Sequence, residues 1–190
     1  MIDLAAMPLN EAPTGFGFAR TGSGGQGKWA VVADATAPGG RALAQNDPDR
    51  TDYRFPLAIL DAPVARNLEV SLTFRAVAGK VDRAGGIALR LASADNYYVV
   101  RANALEDNVR FYRVVKGKRQ QLAGADVKVA SDVWHALTLR AEGDRFTIGF
   151  DGKTLYTATD KTFADAGRVA LWTKADSITH FGDIRVTTLP

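Results

Sequence analysis

The sequence predicts an all-β domain built as a sandwich or a barrel. Three observations carry that expectation. Apolar and polar residues alternate with a period of two in many short segments. Tight-turn signals separate those segments at short, even intervals. No segment holds a long apolar run at helical spacing. Eighteen Gly against four Glu (Glu11, Glu69, Glu106 and Glu142) also favour strands and turns over helices. Many strands without helices must pack sheet on sheet or close on themselves.

Residues 1 to about 27 read as an irregular segment, with Gly15, Gly17, Gly22, Gly24, Gly25 and Gly27 in close succession. The segment lacks the Gly-Lys-Ser/Thr ending and the strand–turn–helix setting of a phosphate loop. Lys28 to Ala33 is a first short strand. A turn-rich stretch follows, with Pro38, Gly39, Gly40, Asn46, Asp47 and Pro48. From Asn67 the alternation is plain: Leu68, Val70, Leu72, Phe74 and Ala76 interleave with Glu69, Ser71, Thr73 and Arg75, which is a half-buried strand. Gly86 to Ala92 and Tyr97 to Asn103 are joined by Ser93-Ala94-Asp95-Asn96. Asn108 to Val115 and Lys118 to Ala123 flank Lys116-Gly117. Trp134 to Ala141 and Arg145 to Phe150 flank Glu142-Gly143-Asp144. Asp151-Gly152 is a two-residue hairpin signal leading into Lys153 to Thr159. Arg168 to Lys174 and Ile184 to Thr188 complete the series, and Thr162 to Ala166 has room for one helical turn. No repeat or linker divides the chain, so residues 1–190 are expected to form one domain around one core.

Composition excludes several function classes. The balance of 24 basic and 21 acidic residues gives +3, with signs alternating along most of the chain. A nucleic-acid binder shows a stronger bias or a basic run, so no nucleic-acid partner is expected. Without cysteine there is no disulfide, thiolate nucleophile or cysteine metal site. No stretch has the length of a membrane-crossing helix, so membrane insertion is not expected. Met1 to Asn10 carries Asp3 and too short an apolar run for a signal peptide. The expectation is a secreted or periplasmic protein whose leader is absent from this chain, with a cytoplasmic protein as the alternative. The sequence is silent on oligomeric state.

Several segments, in order, resemble one superfamily. These are Gly85-Gly86-Ile87-Ala88-Leu89-Arg90, Asp95-Asn96-Tyr97-Tyr98-Val99-Val100-Arg101-Ala102-Asn103 and Asn108-Val109-Arg110-Phe111-Tyr112. Trp134-His135, Phe150-Asp151-Gly152-Lys153 and Gly167 to Asp176 fit the same pattern. Together they are similar to the concanavalin A-like lectin/glucanase superfamily, and within it to bacterial 3-keto-disaccharide hydrolase and family-16-like glycoside hydrolase domains. The resemblance spans roughly residues 28 to 188. It implies a two-sheet antiparallel jelly-roll sandwich, with one sheet bent into a concave groove that holds saccharide in many members. One departure matters. The laminarinase and lichenase type carries Glu-x-Asp-x-x-Glu on one strand, and none of the four Glu here has that spacing. A retaining glycosidase needs a nucleophile and an acid about 5 Å apart across the scissile bond.

Alternation sorts the faces of the strands. Ile87, Leu89, Tyr98, Val100, Ala102, Val109, Phe111, Val169 and Leu171 belong inside. That leaves Arg90, Tyr97, Arg101, Asn103, Asn108, Arg110, Tyr112, Trp172 and Lys174 on one outer patch. Aromatic rings there would stack on sugar rings, and Arg, Lys and Asn would hydrogen-bond hydroxyls or an acidic substituent. The plain alternative is a solvated face whose arginines pair with nearby acids. Trp172, beside small Ala170, is the expected stacking platform. Glu106, Asp107 and Asp176 lie at the rim and are the candidate catalytic acids or bases, with structural pairing as the competing role. His135 and His180 lack a second metal ligand at short spacing. Asp47, Asp49 and Asp52 form an acidic turn without the EF-hand pattern. The superfamily resemblance allows for a structural calcium, with Asp183 as its ligand; no other cofactor is implied.

The expected function is saccharide recognition, extending to glycoside hydrolysis of (keto-)saccharides. The alternatives are a non-catalytic protein-interaction module of the same fold, and a cytoplasmic protein that kept the fold without the groove function.

Overall fold

The structure, a computed structural model, describes residues 1–190. Fourteen strands form two antiparallel seven-stranded sheets. The first runs β1 (Phe16–Gly22), β4 (Arg54–Leu60), β13 (Arg168–Trp172), β6 (Ala84–Ser93), β7 (Asn96–Asn103), β8 (Asn108–Val115) and β9 (Lys118–Asp126) in spatial order. The second runs β12 (Lys153–Thr159), β11 (Arg145–Phe150), β10 (Trp134–Glu142), β5 (Leu68–Ala78), β14 (Ile178–Thr188), β3 (Arg41–Gln45) and β2 (Trp29–Ala33). The chain crosses repeatedly between the sheets, as a jelly roll does.

The core lies between the sheets. Leu68, Val70, Leu72 and Phe74 of β5 point into it, as do Leu137 and Leu139 of β10, Ile87 and Leu89 of β6, and Tyr98 and Val100 of β7. The polar residues of the same strands face outward, where Arg140 pairs with Glu69 at 3.1 Å. Turn chemistry sets the register. In the β8–β9 hairpin Lys116 and Gly117 both have positive φ, 49° and 74°, as do Asp151 and Gly152 in the β11–β12 hairpin, 46° and 77°. Two such residues in sequence match the right-handed twist of the strands they join.

A second apolar cluster covers the outer face of the first sheet. Phe55, Leu57 and Ile59 of β4, Ala88 and Leu91 of β6, Tyr97 and Val99 of β7, Tyr112 and Val114 of β8, and Ala170 and Trp172 of β13 form it. The first sheet is therefore apolar on both faces over much of its area.

Three strands depart from expectation. β1 lies inside the segment read as irregular, and β3 and β4 fall in and just after the turn-rich stretch. Every residue of β4 is buried, so its sequence shows no alternation, and Pro56 argues against a central strand. Pro56 is tolerated because it lies beyond the end of the β4–β13 ladder, where no N–H is required of it, while its carbonyl accepts from Thr173 N–H at 3.1 Å. No helix forms at Thr162 to Ala166; Asp160 Oδ1 instead accepts from Thr162 N–H at 2.8 Å and holds a turn.

Candidate functional site

β7 and β8 are joined by a short turn, and their register sets Arg101 opposite Arg110 and Asn103 opposite Asn108. Directly opposed residues leave a sheet on the same side. Asn103 Oδ1 accepts from the backbone N–H of Leu105 (2.9 Å) and Glu106 (3.2 Å), an Asx turn that fixes Glu106 beside the strand ends. Both protein hydrogen bonds to the Glu106 carboxylate then go to one oxygen. Oε2 accepts from Arg101 Nη2 at 2.8 Å and from Asn108 Nδ2 at 3.2 Å. Arg101 also donates to Asn108 Oδ1 and, at 3.1 Å, to the Tyr112 hydroxyl. The Arg101 side chain is 5 % exposed and that of Glu106 50 %. Burial raises the Glu106 pKa, but the Arg101 charge and the bonds from Asn108 and Arg101 outweigh it and hold the carboxyl below its ordinary range. A buried cation thus keeps a half-exposed carboxylate ionised.

Lys174 lies on the same face. Its Nζ is 2.9 Å from Asp82 Oδ2 and 3.0 Å from Asp52 Oδ1. Asp82 Oδ1 accepts from Asn103 Nδ2 at 2.6 Å and from Arg83 N–H at 2.8 Å, so Asn103 ties the lysine half of the cluster to the Glu106 half. Burial lowers the Lys174 pKa; Asp82 and Asp52 more than reverse this and keep the ammonium charged.

Beneath and beside these groups are aromatic rings. Trp172 stacks on Phe55 with centroids 5.2 Å apart and 16° between planes. Its indole N–H donates at 3.3 Å to the Tyr97 hydroxyl, which also bonds Thr21 at 2.7 Å. Arg119 of β9 lies over Tyr112, Phe55 and Trp172 at 4.5, 5.0 and 6.0 Å from the ring centroids. Tyr53 meets Phe55 edge-on at 4.7 Å, is 43 % exposed, donates its O–H to Gly117 O at 2.8 Å and accepts from Arg119 N–H at 3.1 Å.

The structure therefore brings together Arg101, Asn103, Asn108, Glu106, Tyr112 and Lys174. Arg110 shares their face and pairs with Asp126 at 2.6 Å. Other expectations need correction. Trp172 faces outward from its sheet as alternation requires, yet it is fully buried, and so is Tyr97. Phe55 and Arg119 cover the indole, which is floor and not a stacking platform. Arg90 leaves the patch altogether. A bulge gives it φ 48°, and its guanidinium turns inward over the Phe146 ring, 5.2 Å away. A single inserted residue in a strand reverses the side chain's face.

The remaining acids have structural partners. The Asp176 carboxylate accepts from the backbone N–H of Lys80 (2.8 Å), Val81 (3.0 Å) and Asp82 (3.0 Å). Burial raises its pKa and these bonds override that, so it stays ionised and shapes the loop that delivers Asp82. Asp107 accepts from Val129 N–H at 3.0 Å and pairs with Lys128 at 2.9 Å. In the acidic turn, Asp47 and Asp49 pair with the buried Arg54 at 2.7 and 3.6 Å, and Asp52 with Lys174. Asp183 sits in a bulge of β14 with φ 47°, lining a cleft of about 360 Å³ with Asp3, Arg41 and Pro38. No group of three or more His, Cys, Asp or Glu side chains converges anywhere as a metal ligand set. His135 bonds Asp151 and Ala130 O, and His180 bonds Asp34.

Sequence reasoning missed Arg119, Tyr53 and Asp82, and read Asp52 only as part of an acidic turn. Arg119 had a signal: the two-residue turn Lys116-Gly117 puts it opposite Val114, on the face of Tyr112. The other three sit on loops, where alternation says nothing.

No protein-family model matches the sequence, and no curated protein matches it. Solved structures do. A carbohydrate-binding module, CBM66 from Bacillus subtilis, superposes with TM-score 0.71 at 21 % identity, covering 92 % of this chain and 98 % of its own. A Bacillus subtilis protein of unknown function with a galectin-like fold gives 0.62 at 10 % identity, covering 90 % and 89 %. The Bacillus licheniformis β-glucanase gives 0.58 at 13 % identity, covering 96 % of each chain. Two seven-stranded antiparallel sheets, and superposition along nearly the whole chain with such structures, give the protein a concanavalin A-like jelly-roll fold.

Proposed function

We propose that the chain binds saccharide on the outer face of its first sheet, at the Arg101–Glu106–Lys174 cluster, and that it does so without cleaving it. The observation that carries the reading is Glu106. Its carboxylate is half exposed, held ionised by a buried arginine, and engaged by the protein through one oxygen only. A fixed anionic acceptor beside a charged lysine suits a pair of sugar hydroxyls. The rim adds apolar contact: Val81 is 39 % exposed and Leu105 47 %, on the loops that deliver Asp82 and Glu106. Tyr53 is an exposed ring pinned through its hydroxyl, ready to stack at little entropic cost. The shared fold with a carbohydrate-binding module along 92 % of the chain supports the same reading.

The state of the carboxyl groups supports binding without hydrolysis. A glycosidase of the two-carboxylate kind needs one of them protonated to serve as acid. Glu106 and Asp176 are both driven the other way, and Asp176 is occupied by backbone N–H groups. The test is a panel of soluble oligosaccharides in a thermal-shift assay on the wild type and on Glu106→Gln. A ligand that raises Tm in the wild type and not in the variant supports the reading. A full panel without a shift overturns it and favours a protein partner for this face.

A further inference from the structure

We infer that the saccharide carries an acidic substituent, a carboxylate or a sulfate ester, which docks on Arg119. The inference rests on the saccharide reading above and names its ligand class. The cations of this face fall into two groups. Arg101 is matched by Glu106, Lys174 by Asp82 and Asp52, and Arg110 by Asp126. Arg119 is matched by nothing. Its guanidinium forms no ion pair and no hydrogen bond within the chain, and its Nη1 is buried without a partner. Only ring faces hold it, those of Phe55, Tyr112 and Trp172.

Its setting strengthens the contrast. Arg119 is partly buried beside the tip of the β8–β9 hairpin, in the second pair from the turn, and Lys116 and Lys118 at that tip are both exposed. Asp95 lies against Gly117 at that tip and makes no ion pair with Arg119. Removing one guanidinium nitrogen from water without an acceptor is unfavourable, and the planar donors of the group match carboxylate or sulfate oxygens in pairs. The stacked rings hold the guanidinium in place, so its donors are oriented before a ligand arrives.

Tyr112 links this cation to the Glu106 group. Its ring carries Arg119 at 4.5 Å and Arg101 at 5.7 Å, and its hydroxyl accepts from Arg101. The face therefore sets the acceptor Glu106, beside cations that are already paired, near an arginine that is not. A sugar with free hydroxyls over Glu106 and an anionic group toward Arg119 satisfies both. A neutral sugar leaves Arg119 as it is now.

The test compares matched ligands by calorimetry on the full chain: short oligogalacturonates against their methyl esters, and unsulfated against sulfated chondroitin oligosaccharides. The first pair probes a carboxylate source and the second a sulfate source. The expected result is that the wild type binds the more acidic member of at least one pair roughly tenfold tighter, with the preference shrinking as salt rises. Arg119→Met, which keeps the aliphatic stem over the rings, should abolish the preference while the less acidic member still binds. Arg119→Lys should restore part of it, and circular dichroism and Tm confirm folding of both variants. Equal affinity for both members of each pair, or equal loss of binding of both members in Arg119→Met, overturns the acidic ligand while saccharide binding stands. No binding of any member overturns both.

Discussion

Arg90 and Arg101 stand on neighbouring strands of one sheet and leave it by opposite faces. Arg101 reaches Glu106 on the outer face, 2.8 Å away. Arg90, in its left-handed bulge, donates inward to the carbonyl oxygens of Arg66 (3.0 Å), Phe163 (2.9 Å) and Gly143. Desolvation lowers the Arg90 pKa, which the nearby Tyr98 partly counters, yet the group stays charged. One guanidinium ties three loops together; the other orients the Glu106 carboxylate.

That division predicts different phenotypes. Arg90→Met leaves three carbonyl groups without their donor and should cost about 2–5 kcal/mol of stability. Urea unfolding measures the loss. Saccharide affinity, measured on the fraction that remains folded, should match the wild type.

Glu106→Gln should do the reverse. The amide keeps the shape and can still accept from Arg101, so Tm should move little. Saccharide affinity should fall by about tenfold or more, because a hydrogen bond to a charged acceptor contributes about 1.5–3 kcal/mol. Calorimetry with any ligand from the panel checks it. Equal affinity would remove Glu106 from the site.

Trp172→Ala should fail as a folding mutant rather than a binding mutant. The indole is fully buried between Phe55, Tyr97 and Arg119, and truncating such a ring costs about 3–5 kcal/mol. Tyr53→Ala removes an exposed ring and should leave Tm within a few degrees while weakening binding. Thermal melts and titrations of the two variants, side by side, separate floor from platform.

Stability should fall in acid over a defined window. Burial raises the Asp34 pKa, but bonds from Thr36 and His180 and the charge of Arg75 bring it down to about 2 from an ordinary 3.8. Asp176 and Asp160 are lowered as well. A depressed carboxyl stabilises the fold above its unfolded pKa, and the contribution is lost as pH falls through the folded value. Tm should hold down to about pH 4 and drop between about pH 4 and 2. Asp34→Asn should start lower and decline less steeply across that window.

Chelation should leave the melting curve unchanged. The acidic turn already has its cations in Arg54 and Lys174, and Asp183 belongs to no ligand set. A Tm lowered by EDTA and restored by added calcium would contradict this.

Much of the fold was legible because half-buried strands write their geometry into a period of two. Leu68 to Ala76 shows it, as does the hairpin at Asp151-Gly152, where turn chemistry and alternation agree. β4 was illegible for the same reason: buried on both faces, it has no alternation to read, and Pro56 disguises it. β1 was hidden among glycines, since an edge strand with mixed exposure has a weak pattern.

By itself the sequence determined the all-β class, most of the strands, and the shared face of Arg101, Asn103, Asn108, Arg110, Tyr112 and Lys174. These follow from local alternation, which each strand carries in its own residues. Only the tertiary structure decided that Arg90 turns inward, that Trp172 is roofed by Arg119, and that Tyr53, Asp52 and Asp82 join the same cluster. A bulge changes parity through one residue's φ, and coverage of a face depends on loops distant in sequence. Neither is encoded in the periodicity of the strand concerned.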